Sequence, residues 1–240
     1  MVARMGFDPC ATPKDPQTTG TLFTGYTAAF LESAFARLQH LRPGQWYFST
    51  SQKKPGIALF DQYQHLADIQ KIIDQYKQVE AALGGDYLIT PDIIIARVPE
   101  TDEKINAAEP LISDPKEIGR HTPLRAVNTP SATLHATISC KWTMRSDRAQ
   151  NTRTEALNLI RNRKGKTPHI AAVTMEPLPT RLASIAMGTG DMDCVYHGAL
   201  YELMEAAEEI KNQDQSEMLQ TLVVGRRLRD ISDLPFDLAI

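Results

Sequence analysis

From Ser131 to Met144 the chain reads Ser-Ala-Thr-Leu-His-Ala-Thr-Ile-Ser-Cys-Lys-Trp-Thr-Met, an unbroken alternation of polar and apolar side chains. A period of two over this length fits a β-strand and excludes a helix, whose faces repeat every 3.6 residues. It predicts Leu134, Ala136, Ile138, Cys140 and Trp142 on one face, with Thr133, His135, Thr137, Ser139 and Lys141 on the other. Helical spacing takes over at about Arg148–Arg163, where Ala149, Ala156, Leu159 and Ile160 point inward, and His169–Met175 reads as a buried strand.

The same reasoning extends along the chain. Residues 1–20, with Pro9, Pro13, Pro16 and Gly20, read as an irregular arm. A helix follows with Phe23, Tyr26, Phe30, Leu31, Phe35 and Leu38 at three- and four-residue steps, ending at Arg42-Pro43-Gly44. A longer one is expected over about Ile57–Leu83, striped by Leu59, Tyr63, Leu66, Ile69, Ile73, Tyr76 and Leu83 and closed by Gly84-Gly85. Residues 86–98 form a β-branched strand broken at Thr90-Pro91, beside Asp92, and 99–130 are a polar connection. Cys194–Tyr196 is a short strand, Gly198–Lys211 an acidic helix and Thr221–Val224 a last strand. Such alternation predicts an α/β fold with a mixed central sheet flanked by helices, built as a single domain over residues 1–240.

Composition narrows the class. With 42% hydrophobic and 23% charged residues the 240-residue chain is an ordinary globular protein that needs no disulfide or structural metal to hold a core. No apolar run is long enough for a membrane span, and the N-terminus lacks a secretory signal. Three unpaired cysteines, Cys10, Cys140 and Cys194, fit a reduced, cytoplasmic protein.

The net charge of −3 is unevenly spread. Lys141–Lys166 holds eight basic residues against Asp147 and Glu155, a local +6 that leaves −9 on the rest. A basic stripe on an acidic chain is the footprint of a confined nucleic-acid surface, and a solvated helix face is the alternative. Several lookalikes fail. Gly165-Lys166-Thr167 lacks the glycine at residue 160 that a phosphate loop needs, and Gly188-Thr189-Gly190 has Asp193 where a dinucleotide fingerprint has glycine. Asp191, Asp193, Cys194 and His197 could be drawn as a metal cluster, but alternation sets Cys194 on the other face of the strand from the rest, which argues against it.

What remains is Pro91-Asp92, Ser139-Cys140-Lys141 and Glu155. Phosphodiester hydrolysis needs two carboxylates to hold a divalent cation against the phosphate and a cationic side chain to orient the attacking water. Asp92 at a strand break, Lys141 on a neighbouring strand and Glu155 on the next helix supply those types. The familiar nuclease pattern, Pro-Asp followed by Asp/Glu-x-Lys, fails at Ser139, which cannot ligate as a carboxylate does.

The segment from Ser139 through Arg145-Ser-Asp-Arg148 to Glu155, with Ile170–Asp191, resembles the NgoMIV-like type II restriction endonucleases, the CCGG-cutting group of that nuclease superfamily. There the pattern is Pro-Asp, Ser-x-Lys, Glu, with the strand acid supplied from the helix. The resemblance runs from about residue 17 to the end. It implies that Asp92 and Glu155 bind Mg²⁺, helped by the Cys140 carbonyl. Lys141 would position the water, with Ser139 behind it, and the cut would leave 5′-phosphates. It makes Arg145, Asp147 and Arg148 the base-reading box, for which a helix start capped by Asp147 is the plain alternative. Gln17 and Arg181 become further DNA contacts. The expected substrate is duplex DNA at a palindrome containing CCGG, with GCCGGC the favoured site. A palindrome asks for at least a homodimer, and the resemblance implies a tetramer. Two departures stand out. Thr24 occupies the place of an acid near the metal, with Glu32 the nearest carboxylate, and only Met1–Gly20 corresponds to a longer N-terminal segment that contacts the outer base pairs. A DNA-binding protein that no longer cleaves, a structure-selective repair nuclease with the same metal site, and a bland soluble α/β protein are the rival readings.

Overall fold

The computed structural model describes residues 1–2, 4–6, 15–50, 56–76, 89–188 and 190–240. In chain order the elements are α1 (Pro16–Arg37), β1 (Trp46–Thr50), α2 (Gln64–Gln75), β2 (Ile93–Arg97), α3 (Asp102–Ile105), β3 (Thr133–Lys141), α4 (Ser146–Asn162), β4 (His169–Thr174), α5 (Pro179–Ala186), β5 (Cys194–His197), α6 (Leu200–Ile210), α7 (Gln213–Val224), β6 (Leu228–Asp230) and α8 (Leu234–Asp237). The six strands form one sheet in sequence order. β1, β2 and β3 pair antiparallel, and β3 to β6 pair parallel, so the sheet is mixed as expected.

Alternation along the strands divides the core into two layers. Ile93 and Ile95, Ala171 and Val173, Cys194 and Tyr196 face α1 and α8, where Leu31, Phe35, Leu234 and Leu238 cover them. Ile94, Ala96, Ile170, Ala172 and Val195 face the opposite way, against Leu66 of α2, Ala156 and Leu159 of α4, Leu182 of α5, Leu203 of α6 and Leu219 of α7. β3 departs from the expected alternation at one point. Ile95 pairs with Ala136 but Ala96 with Leu134, so His135 is an extra residue in the ladder. The bulge moves Leu134 to the layer opposite Ala136, Ile138 and Cys140. His135 packs edge-on against Trp46 and His169, each with ring centroids 4.9 Å away.

Several boundaries differ from the sequence expectation for local reasons. α1 starts at Pro16, inside the expected irregular arm. Asp15 caps it by accepting from the Gln17 and Thr18 amides, and Pro16 fills the first turn. β1 was not anticipated. It is a five-residue edge strand whose Ser49 and Thr50 weaken its apolar pattern. The helix expected over 57–83 is broken at its start into two 3-10 turns, and the helical part is α2; Leu59 and Tyr76 of its expected stripe are exposed. Its closing Gly84-Gly85 lies outside the described residues. Thr221–Val224 ends helix α7 and is no strand. Leu219, Leu222 and Val223 face the core at helical spacing, and Thr221 Oγ1 donates back to the Glu217 carbonyl (2.8 Å). The last strand is β6. Among the described residues no helix is long and apolar enough to cross a membrane.

Candidate active site

The antiparallel register of β2 and β3 pairs Ile93 with Ile138. Asp92, one residue before β2, therefore stands at the end of β3 that carries Ser139, Cys140 and Lys141. Its Oδ2 accepts from the Cys140 amide (2.8 Å) and from Lys141 Nζ (2.7 Å). Both side chains of this ion pair are about three-quarters buried, at 26% and 22% exposure, and reach the surface at the strand end. Pro91 before Asp92 explains the geometry. It cannot donate to a ladder, so pairing stops there and the carboxylate is freed to turn back onto β3.

Glu155 joins from α4. With Pro91, Thr137, Ser139 and Thr152 it lines a small cavity of about 20 Å³ beneath the strand ends. Burial raises the pKa of its carboxyl; Lys141 opposes that rise and the Asp92 charge adds to it. Asp92 and Lys141 thus act on the Glu155 charge in opposite senses. Ser139 holds the helix in place: its hydroxyl lies 3.4 Å from that of Thr152, which donates in turn to the Arg148 carbonyl (2.9 Å). The Cys140 side chain points to the α1 face, where the Thr24 and Thr27 hydroxyls meet its thiol, and burial pushes that thiol up to about 12. It is an inert packing group. Among the described residues no cluster of three or more His, Cys, Asp or Glu that could hold a metal is present.

The start of α4 projects beside this centre. Arg145 is the N-cap residue and makes no side-chain cap, so Asp147 does not close the helix as the plain alternative would have it. Arg145 and Asp147 are exposed, and Arg148 is half-buried with a weak bond to the Thr143 carbonyl (3.4 Å). The unpaired amides of a helix start carry a partial positive charge, which the two arginines reinforce. Across a cleft of about 210 Å³ stand Thr180, Arg181 and Ser184 of α5. Gln17 is in the first turn of α1, exposed, and on the same helix face as Thr24 but about 10 Å along the axis from it. Among the described residues no hydrogen bond ties it to the strand ends. Glu32 is exposed, eight residues beyond Thr24 on the same helix, and does not replace an acid there.

One residue at this end of the sheet escaped sequence reasoning. Glu176, just past β4, is completely buried, and its carboxylate accepts from the Met144 amide (2.7 Å) and the Leu178 amide (3.1 Å). An acid between an apolar strand and Pro177 reads as a turn; only its place behind a buried run hinted otherwise.

Comparison with known proteins gives this arrangement its context. The family model described as NgoMIV restriction enzyme matches residues 7–240. The chain belongs to the NgoMIV restriction enzyme family. It is 49% identical over 226 residues to the type II restriction enzyme NgoMIV of Neisseria gonorrhoeae, covering 93% of this chain and 78% of that one. The fold is accordingly that of a restriction endonuclease, and the protein is a DNA-cleaving nuclease of type II restriction enzyme descent. Two solved structures are more distantly similar. Bse634I with cognate DNA matches at 14% identity over all of this chain and 81% of that one, with a TM-score of 0.41. The PspGI–substrate DNA complex matches at 21% identity over 43% and 38%, with a TM-score of 0.27. Family membership rests on the sequence comparisons alone.

Proposed function

We propose that this member of the family hydrolyses duplex DNA with Mg²⁺ at a palindrome built on CCGG, GCCGGC, leaving 5′-phosphate and 3′-hydroxyl ends. The observation that carries the reading is the convergence of Asp92, Lys141 and Glu155 at one sheet end, beside a helix start bearing Arg145, Asp147 and Arg148. The donor set fits a hard divalent cation. The Asp92 and Glu155 carboxylates, with the Cys140 carbonyl, would offer oxygen ligands only, the donor type that Mg²⁺ takes. Bound there, the ion polarises the scissile phosphate and acidifies the attacking water.

The side chains do the rest. Asp92 and Glu155 would hold the ion, and Lys141 orients the water in line with the departing 3′-oxygen and offsets the charge that grows on the phosphate. Ser139 acts behind them by fixing α4 through Thr152. The water's oxygen bonds to phosphorus, the bond from phosphorus to the 3′-oxygen breaks, and that oxygen leaves as a hydroxyl. Arginine donates two hydrogen bonds to the O6 and N7 of guanine and aspartate accepts from cytosine N4, so Arg145, Asp147 and Arg148 select G·C pairs. Arg181 adds a contact from the facing helix and Gln17 one in the minor groove. A palindromic site calls for a two-fold assembly, a dimer at least and a tetramer of two dimers by family resemblance, with each chain a single domain working in the cytoplasm of a prokaryotic cell.

The test is digestion of a mapped plasmid with Mg²⁺ followed by sequencing of the ends. Discrete cuts within GCCGGC support the reading. Cuts at flaps or mismatches regardless of sequence would transfer it to a repair nuclease, and a footprint on intact DNA would leave a binding protein weakened by Thr24. Arg145→Ala is expected to cost about 1–3 kcal/mol at the cognate site and little on random DNA.

A further inference from the structure

We infer that Glu176 is the positioning residue of the DNA-reading surface: one buried carboxylate sets the spacing of the two helix starts that face each other across the cleft. Its Oε2 accepts from the amide of Met144, the residue before the Arg145 N-cap of α4. Its Oε1 accepts from the amide of Leu178, the N-cap of α5. The cleft between these helix starts is lined by Arg145, Ser146, Thr180, Arg181 and Ser184. The inference rests on the proposed reading of Arg145, Asp147, Arg148 and Arg181 as DNA contacts.

Glu176 is itself held at every polar atom. Its amide donates to Thr174 Oγ1 (3.1 Å). Its carbonyl lies 3.2 Å from His197 Nε2, and His197 Nδ1 accepts from the Ala199 amide, which leaves the ring proton on Nε2 to donate. The carboxylate is thus anchored to β4 and β5 while its oxygens reach outward. A fully buried carboxylate is costly and is a poor device for stability alone. Its distinguishing ability is to accept on both sides at once; an amide in its place has one acceptor and would turn an NH₂ toward one of the two backbone donors. Arg181 completes the unit. Its Nη1 is 3.6 Å from Oε2 and the side chain is half exposed, so the guanidinium leans on Glu176 yet remains free to swing to DNA.

The test compares single-turnover cleavage of short duplexes carrying the mapped site with duplexes that differ from it by one base pair. Glu176→Gln is expected to lower the ratio of the two rates about tenfold or more, because misplaced readers lose the correct bases more than the wrong ones. Arg181→Ala, made on an exposed side chain that does not threaten folding, is expected to lower the same ratio, and combining it with Glu176→Gln to lower it no further than Glu176→Gln alone. An unchanged ratio in either single variant, equal losses on both duplexes, or additive losses in the double variant would overturn the inference. If Glu176→Gln does not fold, Glu176→Asp decides: it keeps the charge but shortens the reach to the two amides, and an unchanged ratio in it would overturn the inference. Arg145→Ala on the same duplexes separates the two levels. Intact cognate cleavage in that variant removes the reading surface itself, whereas its loss beside an unchanged Glu176→Gln ratio removes only the role of Glu176.

Discussion

Replacing Lys141 by methionine keeps the aliphatic stem and removes the ammonium that joins Asp92 at 2.7 Å. A hydrogen bond to a charged partner contributes about 1.5–3 kcal/mol when well buried. Here both partners remain roughly a quarter exposed, at 22% and 26%, so solvent screening reduces the expected loss to about 1–2 kcal/mol. For a chain of this size that lowers Tm by about 2–8 °C. The loss is larger than for an isolated surface pair because Asp92 is left near Glu155 with no cation between them. Added Mg²⁺ or Ca²⁺ should therefore raise the Tm of Lys141→Met by more than it raises that of the parent, since Asp92 Oδ2 no longer has to exchange an ammonium for the metal. Thermal unfolding with and without the ion, beside a plasmid digest, is the assay. The variant should be stabilised by metal and cleave nothing. Full cleavage, or a metal-induced rise that persists unchanged when Asp92→Asn and Glu155→Gln are added, would refute the assignment of these three residues to one centre.

Three further outcomes are expected. His135, buried against Trp46 and His169 and donating to the Leu238 carbonyl, has a pKa depressed to about 3 by burial, with Arg42, His169 and Lys166 pushing the same way. The unfolded chain therefore takes up a proton the folded one refuses as pH falls from about 6.5 toward 3. That costs about 2 kcal/mol between pH 7 and 5, and His135→Gln should flatten Tm against pH over this window. Thr24→Glu puts a carboxylate where the Thr24 hydroxyl meets Cys140, and the Mg²⁺ concentration for half-maximal cleavage should fall several-fold; an unchanged requirement would mean that this position does not serve the metal. Thr152→Val removes the hydroxyl that links α4 to Ser139, and cleavage should slow by about 2–10-fold with DNA binding preserved, as expected for loss of one modest hydrogen bond.

The elements legible in the sequence are those whose period is long and whose neighbours are fixed. α4, β4, β5 and α6 emerge within a residue or two of their expected bounds and β3 within three, because each buries one face against a layer that the alternation itself defines. β1 was hidden by its edge position, where one strand contact and a Ser-Thr end leave little pattern. α7 was mistaken at its C-terminus because Thr-Leu-Val-Val has the composition of a strand, while helix capping at Asn212 and burial of Leu219 and Leu222 decide otherwise. The bulge at His135 could not be read, since the polar–apolar alternation runs through it without a break and only the partner strand reveals the extra residue. The site behaves similarly. Asp92, Lys141 and Glu155 are unremarkable singly, and their meaning came from a family pattern whose spacing only a folded sheet can turn into proximity. Glu176 was invisible because its acceptors' partners, Met144 and Leu178, are backbone amides that no side-chain motif records.

If, as proposed above, recognition and hydrolysis share helix α4, a physical consequence follows. Arg148 and Glu155 are seven residues apart on α4, two turns and about 10 Å along its axis, and both turns belong to one rigid segment. The connection from Lys141 to the helix start is only four residues, and it is bonded at Met144 to Glu176 and at Trp142, whose carbonyl accepts from the Met175 amide (3.3 Å). Thr152 pins the middle of the helix to Ser139. A helix so held cannot meet the wrong base edges without tilting about these points, and a tilt moves Glu155 relative to Asp92 and Lys141. Rejection of an incorrect site is then expressed in the hydrolytic step as well as in binding, because the carboxylate that completes the metal set rides on the element that tests the sequence.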